Sequence, residues 1–96
     1  MSAPGRLALV GSGEYLPVMH DIEAWLFEGR PARYVQLATA AAPEGDSSLA
    51  RWHDLGAAAA QRLGVEQVVV DVRNRQDADN AEYADAIAGA GLIYLC

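Results

Sequence analysis

Leu49-Ala-Arg-Trp-His-Asp-Leu-Gly-Ala-Ala-Ala-Ala-Gln-Arg-Leu-Gly-Val-Glu-Gln-Val-Val-Val-Asp-Val72 changes its period at Gly64. Before the glycine, Leu49, Trp52, Leu55, Ala59 and Leu63 recur at spacings of 3, 3, 4 and 4, which is one face of a helix. The alanines at 57 to 60 favour that helix and permit close approach to a sheet. Gly64 suits the left-handed turn that stops it. Beyond it, Val65 to Val72 carry the three consecutive valines Val68, Val69 and Val70, a β-branched run that reads as a buried strand. A helix that runs within two residues into such a strand is half of a parallel α/β repeat.

The same alternation extends in both directions. Toward the N-terminus, Ser47 or Ser48 is placed to cap the helix. Thr39 to Asp46, with Pro43 and Gly45, read as a loop, and Tyr34 to Ala38 as a strand. Gly29 and Pro31 stop an earlier helix that opens at Pro17, with Val18, Ile22 and Trp25/Leu26 on its predicted inner side. Gly11-Ser12-Gly13 is a turn after a short apolar strand, Leu7 to Val10. Toward the C-terminus, Arg73 to Asn80 form a polar loop, and Asp79 with Glu82 fits a capping box. Tyr83 and Ile87 pair on a third helix, Gly89 and Gly91 bound a turn, and Leu92 to Leu95 make the last strand. The order is β-α-β-α-β-α-β. Strands this continuously apolar are covered on both faces, so the expected fold is α/β with a parallel four-stranded sheet and right-handed crossovers. No linker divides the 96 residues into two domains, and no repeat is visible.

Composition narrows the functional classes. Seven basic against thirteen acidic residues give a net charge of −6, which opposes binding to a nucleic-acid backbone. No apolar run approaches the ~20 residues of a membrane helix. The first six residues lead into a strand, not a signal core, so the expected compartment is the cytoplasm. Cys96 is the only cysteine, and His20 and His53 are isolated, so neither an internal disulfide nor a metal site is expected; no cofactor is expected.

Ligands of open parallel sheets bind beyond the carboxyl ends of the strands. Four groups of residues fall there. Gly11, Ser12, Gly13 and Glu14 could present backbone N–H groups to an anion or oxyanion, or could be a tight turn and no more. Leu16 stands where a dinucleotide fingerprint needs glycine, and no Gly-Lys-Ser/Thr ending of a P-loop is present. Glu44 and Asp46 are candidates for a basic group of a substrate, with simple solvation as the alternative. Arg73 and Arg75 are candidates for a carboxylate, with pairing to Asp77 or Asp79 as the alternative. Ser12 lacks the Gly-x-Ser-x-Gly elbow of a nucleophile, Ser47 and Ser48 read as caps, and neither histidine has an identifiable nucleophile. Cys96, as the final residue of a strand, does not stand on a nucleophile elbow. Trp25 and Trp52 lie on apolar stripes and are expected in the core.

Leu9-Val-Gly-Ser-Gly-Glu14, Val35-Gln-Leu-Ala-Thr-Ala-Ala-Ala-Pro-Glu-Gly45 and Gly89-Ala-Gly-Leu-Ile-Tyr-Leu95, in this order and spacing, resemble the N-terminal half of peptidase family S51, the cyanophycinase and dipeptidase E type, within the class I glutamine amidotransferase-like superfamily. The resemblance covers essentially the whole chain. It implies that residues 1–96 are the N-terminal portion of one three-layer, flavodoxin-like domain, and that the parent is a serine-type hydrolase of peptide or isopeptide bonds near acidic residues. It also implies that a Gly-Gly turn after the fourth strand, a serine on a later strand-to-helix elbow and a still later histidine complete the site. None of these lies within the 96 residues, so no catalytic residue carries over, and the isolated chain is expected to be inactive. Gly13 and Glu14 match the family's glycine-rich turn near the active edge. The expected partners are a peptide substrate with acidic residues and either a second copy or the missing C-terminal half. Two other readings stay open: a non-catalytic binding or assembly module, and a cysteine-dependent relative of the amidotransferases.

Overall fold

The computed structural model describes residues 5–96. Its sheet has three parallel strands in the order β2-β1-β3, with β1 Arg33–Leu37, β2 Glu66–Val69 and β3 Leu92–Leu95. The helices are α1 His20–Phe27, α2 Asp46–Leu63, α3 Arg75–Ala78 and α4 Ala81–Ala88, with 3-10 turns at Pro17–Met19 and Thr39–Glu44. In register, Val35 lies beside both Val68 and Ile93, so one layer of aliphatic side chains crosses the sheet. The crossover β1-α2-β2 moves to one side of β1, and β2-α3-α4-β3 returns past it. Right-handed crossings therefore put α2 and α4 on opposite faces, which gives the three-layer architecture.

Tyr34 and Gln36 point from the central strand toward α1 and α2 and are fully buried, as is Val35 on the opposite face. Each such apolar side chain contributes about 1.5–3 kcal/mol on removal from water. The main core joins Tyr15, Tyr34, Tyr94, Leu92, Ala59 and Ala60, with Trp52, Leu55 and Leu63 packed against it. The α2 stripe therefore packs as its spacing predicts. Gly64 closes α2 in the left-handed conformation, at φ 70°. Gln36 and Glu23 are the buried polar residues among those described. The Gln36 Nε2 donates to the Trp52 carbonyl at 2.7 Å, and its Oε1 accepts from Gln67 at 2.9 Å. Gly56 lies directly above it, where a Cβ would stand 2.1 Å from Gln36 Oε1. A glycine in the middle of α2 is thus required by a buried amide.

Several expectations need correction. Leu7 to Val10 do not form a strand, and Leu7 and Leu9 are 78% and 90% exposed. They lie across a cleft from β3 and lack the hydrogen-bonding neighbour that a strand requires. The sheet accordingly has three strands, not four. The inner face of α1 is rotated from the predicted one. Val18, Ile22 and Trp25 are exposed, Leu26 packs against the core as expected, and Met19 and Glu23 are buried. The inward carboxylate interrupts the apolar pattern and hides the stripe from a periodicity reading. Trp25 instead carries the Arg6 guanidinium 4.9 Å above its ring.

The predicted Val65–Val72 strand is shorter, although Val70 is buried and its N–H still reaches the Gln36 carbonyl at 2.9 Å. Residues 39–44 wind into a 3-10 turn, and Gly45 precedes α2 without a side-chain cap. Ser48 donates to Glu44 at 2.7 Å instead of capping. The polar loop after β2 contains the one-turn helix α3. Asn74 and Asn80, not Asp79, cap α3 and α4 by accepting from the N–H groups of Asp77 and Glu82.

Candidate functional site at the carboxyl rim of the sheet

Parallel strands deliver all their following loops to one rim. After β1 comes the turn 39–44 and Asp46; after β2 come Asp71 and Arg73; after β3 comes Cys96. The Gly11–Glu14 turn reaches the same rim from the N-terminal side, and Tyr15 is what holds it there. Tyr15 is 1% exposed. Its ring stacks on Tyr94 with centroids 4.2 Å apart and lies within 6.2 Å of Tyr34 and 6.1 Å of Trp52. Its hydroxyl donates to Cys96 Sγ at 2.9 Å, and its carbonyl accepts from Arg62 Nη2 at 2.7 Å. The backbone of Tyr15 is left-handed, at φ 67°. That conformation costs a bulky residue about 1–2 kcal/mol, and the packed ring with its two polar anchors holds it in place. Gly13, at φ 79°, supplies the other left-handed residue of the turn.

Burial pushes the Tyr15 hydroxyl well above the ordinary phenol range, and the hydrogen bond to Cys96 adds to this. Tyr34 is raised in the same way, first by burial and then by donating to the Glu23 carboxylate. Tyr94 is pushed up to about 12, chiefly by burial and then by the nearby Glu23 charge. Glu23 itself is raised by burial, against the opposing hydrogen bond from Tyr34. Three neutral phenols and a carboxyl group that resists ionisation are therefore buried together between α1 and the sheet.

The structure brings some of the sequence-derived candidates together and separates others. Arg73 Nη1 bonds Asp46 at 2.7 Å and its Nε bonds Asp71 at 3.0 Å, so the loops after β1 and β2 are clasped. Those two carboxylates also raise the guanidinium above its usual range, Asp71 first. The backbone N–H of Arg73 donates to Asp77. Its partners are thus Asp71 and Asp46, and its planar fork is occupied. Glu44 is exposed and accepts from Ser48. Arg75 opens α3, exposed, with no salt bridge among the described residues. Gly11 and Ser12 are exposed, whereas Gly13 and Glu14 are half-buried.

Among the described residues no histidine is hydrogen-bonded to a serine or cysteine. His20 begins α1 with a buried Nδ1 that lacks a partner, and His53 contributes its carbonyl to Gln67. Cys96 faces Tyr15 and the Leu37 carbonyl, not a base. No group of three or more His, Cys, Asp or Glu able to hold a metal occurs among the described residues, and no helix there is long and apolar enough to cross a membrane. Tyr15 and Tyr94 are not legible as rim residues from the sequence alone. A tyrosine following a glycine turn has no periodicity to betray it.

Neither a family model nor a curated protein matches the chain. A solved structure does: the crystal structure of a peptidase from an acI-B1 Actinobacterium, at a TM-score of 0.85 and 40% sequence identity. The match covers 90% of this chain and 37% of that one, so the present chain spans little more than a third of the peptidase it resembles. At this identity and overlap, the α/β fold is a peptidase-like one.

Proposed function

We propose that this chain is the N-terminal part of a serine-type, peptidase-like hydrolase of the cyanophycinase and dipeptidase E type, family S51. The observation that carries the reading is the 40% identity to a solved peptidase across nine-tenths of these residues. Chemistry supports the division of labour. Acyl transfer by serine needs a nucleophile, a base and oxyanion donors within hydrogen-bond reach of one another. The described residues present no nucleophile–base pair, so they contribute a rim and not the bond-breaking groups.

In this reading Gly11–Glu14 shape the wall of the site, with Tyr15 holding the turn in place. Arg73 and Asp46 are structural, since each occupies the other. Arg75 is the remaining cation of the pair and the better placed to attract an acidic substrate. Glu14 and Glu44 add negative charge at the same rim and favour a substrate that also carries a basic group. Soluble peptides with acidic residues are the substrate class.

The test compares this chain with the product of the coding sequence that contains it and continues from it. Both are assayed on aspartyl and glutamyl dipeptides and treated with a serine-reactive probe. Hydrolysis by the longer product, labelled at a serine outside residues 1–96, is expected, with none by the 96-residue chain. Equal turnover by both, or labelling at Ser12, Ser47 or Ser48, defeats the proposal.

A further inference from the structure

The outer edge of β3 is open. β3 pairs with β1 alone, and the next segment across from it, Gly5–Val10, is separated from it by a cleft of about 550 Å³. We propose that this cleft is a slot for one further β-strand, parallel to β3, supplied by the part of a peptidase domain that lies outside these 96 residues; the inference rests on the peptidase reading above.

Size is the first argument. A four-residue strand at ~3.3 Å per residue, ~4.8 Å between neighbours and ~10 Å between layers fills roughly 630 Å³. The cleft is of that order, so it takes one strand and not a helix or a second sheet. The second argument is hydrogen bonding. Cys96 N–H donates to the Leu37 carbonyl on β1, and Leu92 and Tyr94 stand opposite Tyr34 and Gln36 in register. Alternate residues of a parallel strand bond to the same side, so Leu92 and Tyr94 also bond β1, and the N–H groups of Ile93 and Leu95 face the open edge. Glu23 and Tyr94 also line the cleft, and each keeps a buried oxygen, Oε1 and the hydroxyl, without a partner. An edge and two polar atoms in that state await a donor and acceptor array, which is what a polypeptide backbone carries.

The third argument is that the cleft is held open. Arg6 is tethered to α1, donating to the Trp25 carbonyl and lying 3.4 Å from Glu28. At the other end Tyr15 is fixed in the aromatic core. Leu7–Val10 are therefore suspended between two anchors and cannot collapse onto β3. The exposed side chains fit the same reading. Leu7, Leu9, Ile93 and Leu95 alternate along the two walls, as neighbours of a missing strand in a covered sheet would. Finally, 100 − 37 = 63% of the solved peptidase chain lies outside the match, ample length from which a strand can come. A parallel strand seated there would end at the rim between Gly11–Tyr15 and Cys96, and so would deliver whatever follows it to the candidate site.

The probe is the unmatched part of the acI-B1 peptidase chain, coexpressed with this chain as a separate polypeptide. A stable complex is expected, in which amide exchange at Ile93 and Leu95 slows at least about tenfold relative to the chain alone. Ile93→Lys and Leu9→Lys, at exposed positions, should leave the circular dichroism of the chain intact yet weaken the complex at least about tenfold. Val18→Lys, equally exposed but outside the cleft, should leave it unchanged. Absence of a complex, or a complex with Ile93 and Leu95 unprotected, overturns the slot. Protection in the dilute chain alone also overturns it, because Leu7–Val10 would then have closed the edge. Protection that rises with the concentration of the chain alone overturns it in favour of a second copy. Hydrolysis by a complex with unprotected amides refutes the slot and spares the peptidase reading. Protected amides in an inactive complex do the reverse.

Discussion

Replacing Gly56 by alanine sets two well-known effects against each other. In an exposed helix the change stabilises by about 1 kcal/mol, because alanine is the better helix former. Here the new Cβ would stand 2.1 Å from Gln36 Oε1, 2.6 Å from its Cδ and 2.9 Å from its Nε2. The amide cannot simply swing away, since it is fully buried and holds both the Trp52 carbonyl and Gln67. Overpacking costs about 1–3 kcal/mol, and a buried amide or carbonyl left unpaired costs about 1–3 kcal/mol more. The clash wins, and a net destabilisation of about 2 kcal/mol is expected. Urea unfolding followed by tryptophan fluorescence measures it, with Trp52 beside the perturbed site. A double-mutant cycle isolates the cause. In a Gln36→Ala background the same Gly56→Ala change should become neutral or stabilising. Stabilisation by Gly56→Ala in the unaltered chain would refute the reasoning, as would equal destabilisation in both backgrounds.

Glu23→Gln should flatten the pH dependence of stability. The folded pKa of Glu23 is raised above its ordinary 4.5, so the folded state holds the proton more tightly. Its contribution is complete below that ordinary value and is lost as pH rises through the raised one. Urea midpoints across this window should fall with rising pH in the unaltered chain relative to the variant. Gly91→Ala would place a Cβ 1.8 Å from the Pro31 carbonyl oxygen, a backbone obstacle, so loss of the β3 pairing and a large fall in folded signal by circular dichroism are expected. Tyr15→Phe removes only the hydroxyl bonded to Cys96 and should cost about 1 kcal/mol in the same unfolding assay. Arg73→Gln breaks exposed ion pairs with Asp46 and Asp71 and should leave the urea midpoint nearly unchanged, with any difference shrinking further in salt.

What the sequence discloses depends on whether a residue acts through periodicity or through one particular contact. The α2 stripe, Gly64 and the valine strand follow from spacing and local geometry alone, and they are found where expected. Leu7–Val10 have the composition of a strand, but pairing is a property of two segments, and a cleft stands where the neighbour should be. The face of α1 is hidden from a periodicity reading because Glu23 sits in it, and what makes a buried carboxyl tolerable there comes mainly from outside the helix: the Tyr34 hydroxyl first, then the charges of Arg62 and His20. At the rim, the glycine turn and the acidic and basic loops were visible as candidates. The pairing of Arg73 with Asp46, 27 residues apart, was not, because charge partners across a fold leave no local signature.

Tyr15 and Cys96 touch across a sequence separation of 81 residues. The order in which this molecule can assemble follows from that one contact. Neighbouring pieces such as α2 and β2 close short loops and can form early, whereas the N-terminal turn, which Tyr34, Trp52 and Arg62 hold only in part, completes its seat when Tyr94 and Cys96 at the far end of β3 have been made. During synthesis from the N-terminus, its oldest residues are therefore among the last to find their places, and slowed translation near codon 96 would prolong the interval in which Leu7 and Leu9 wander.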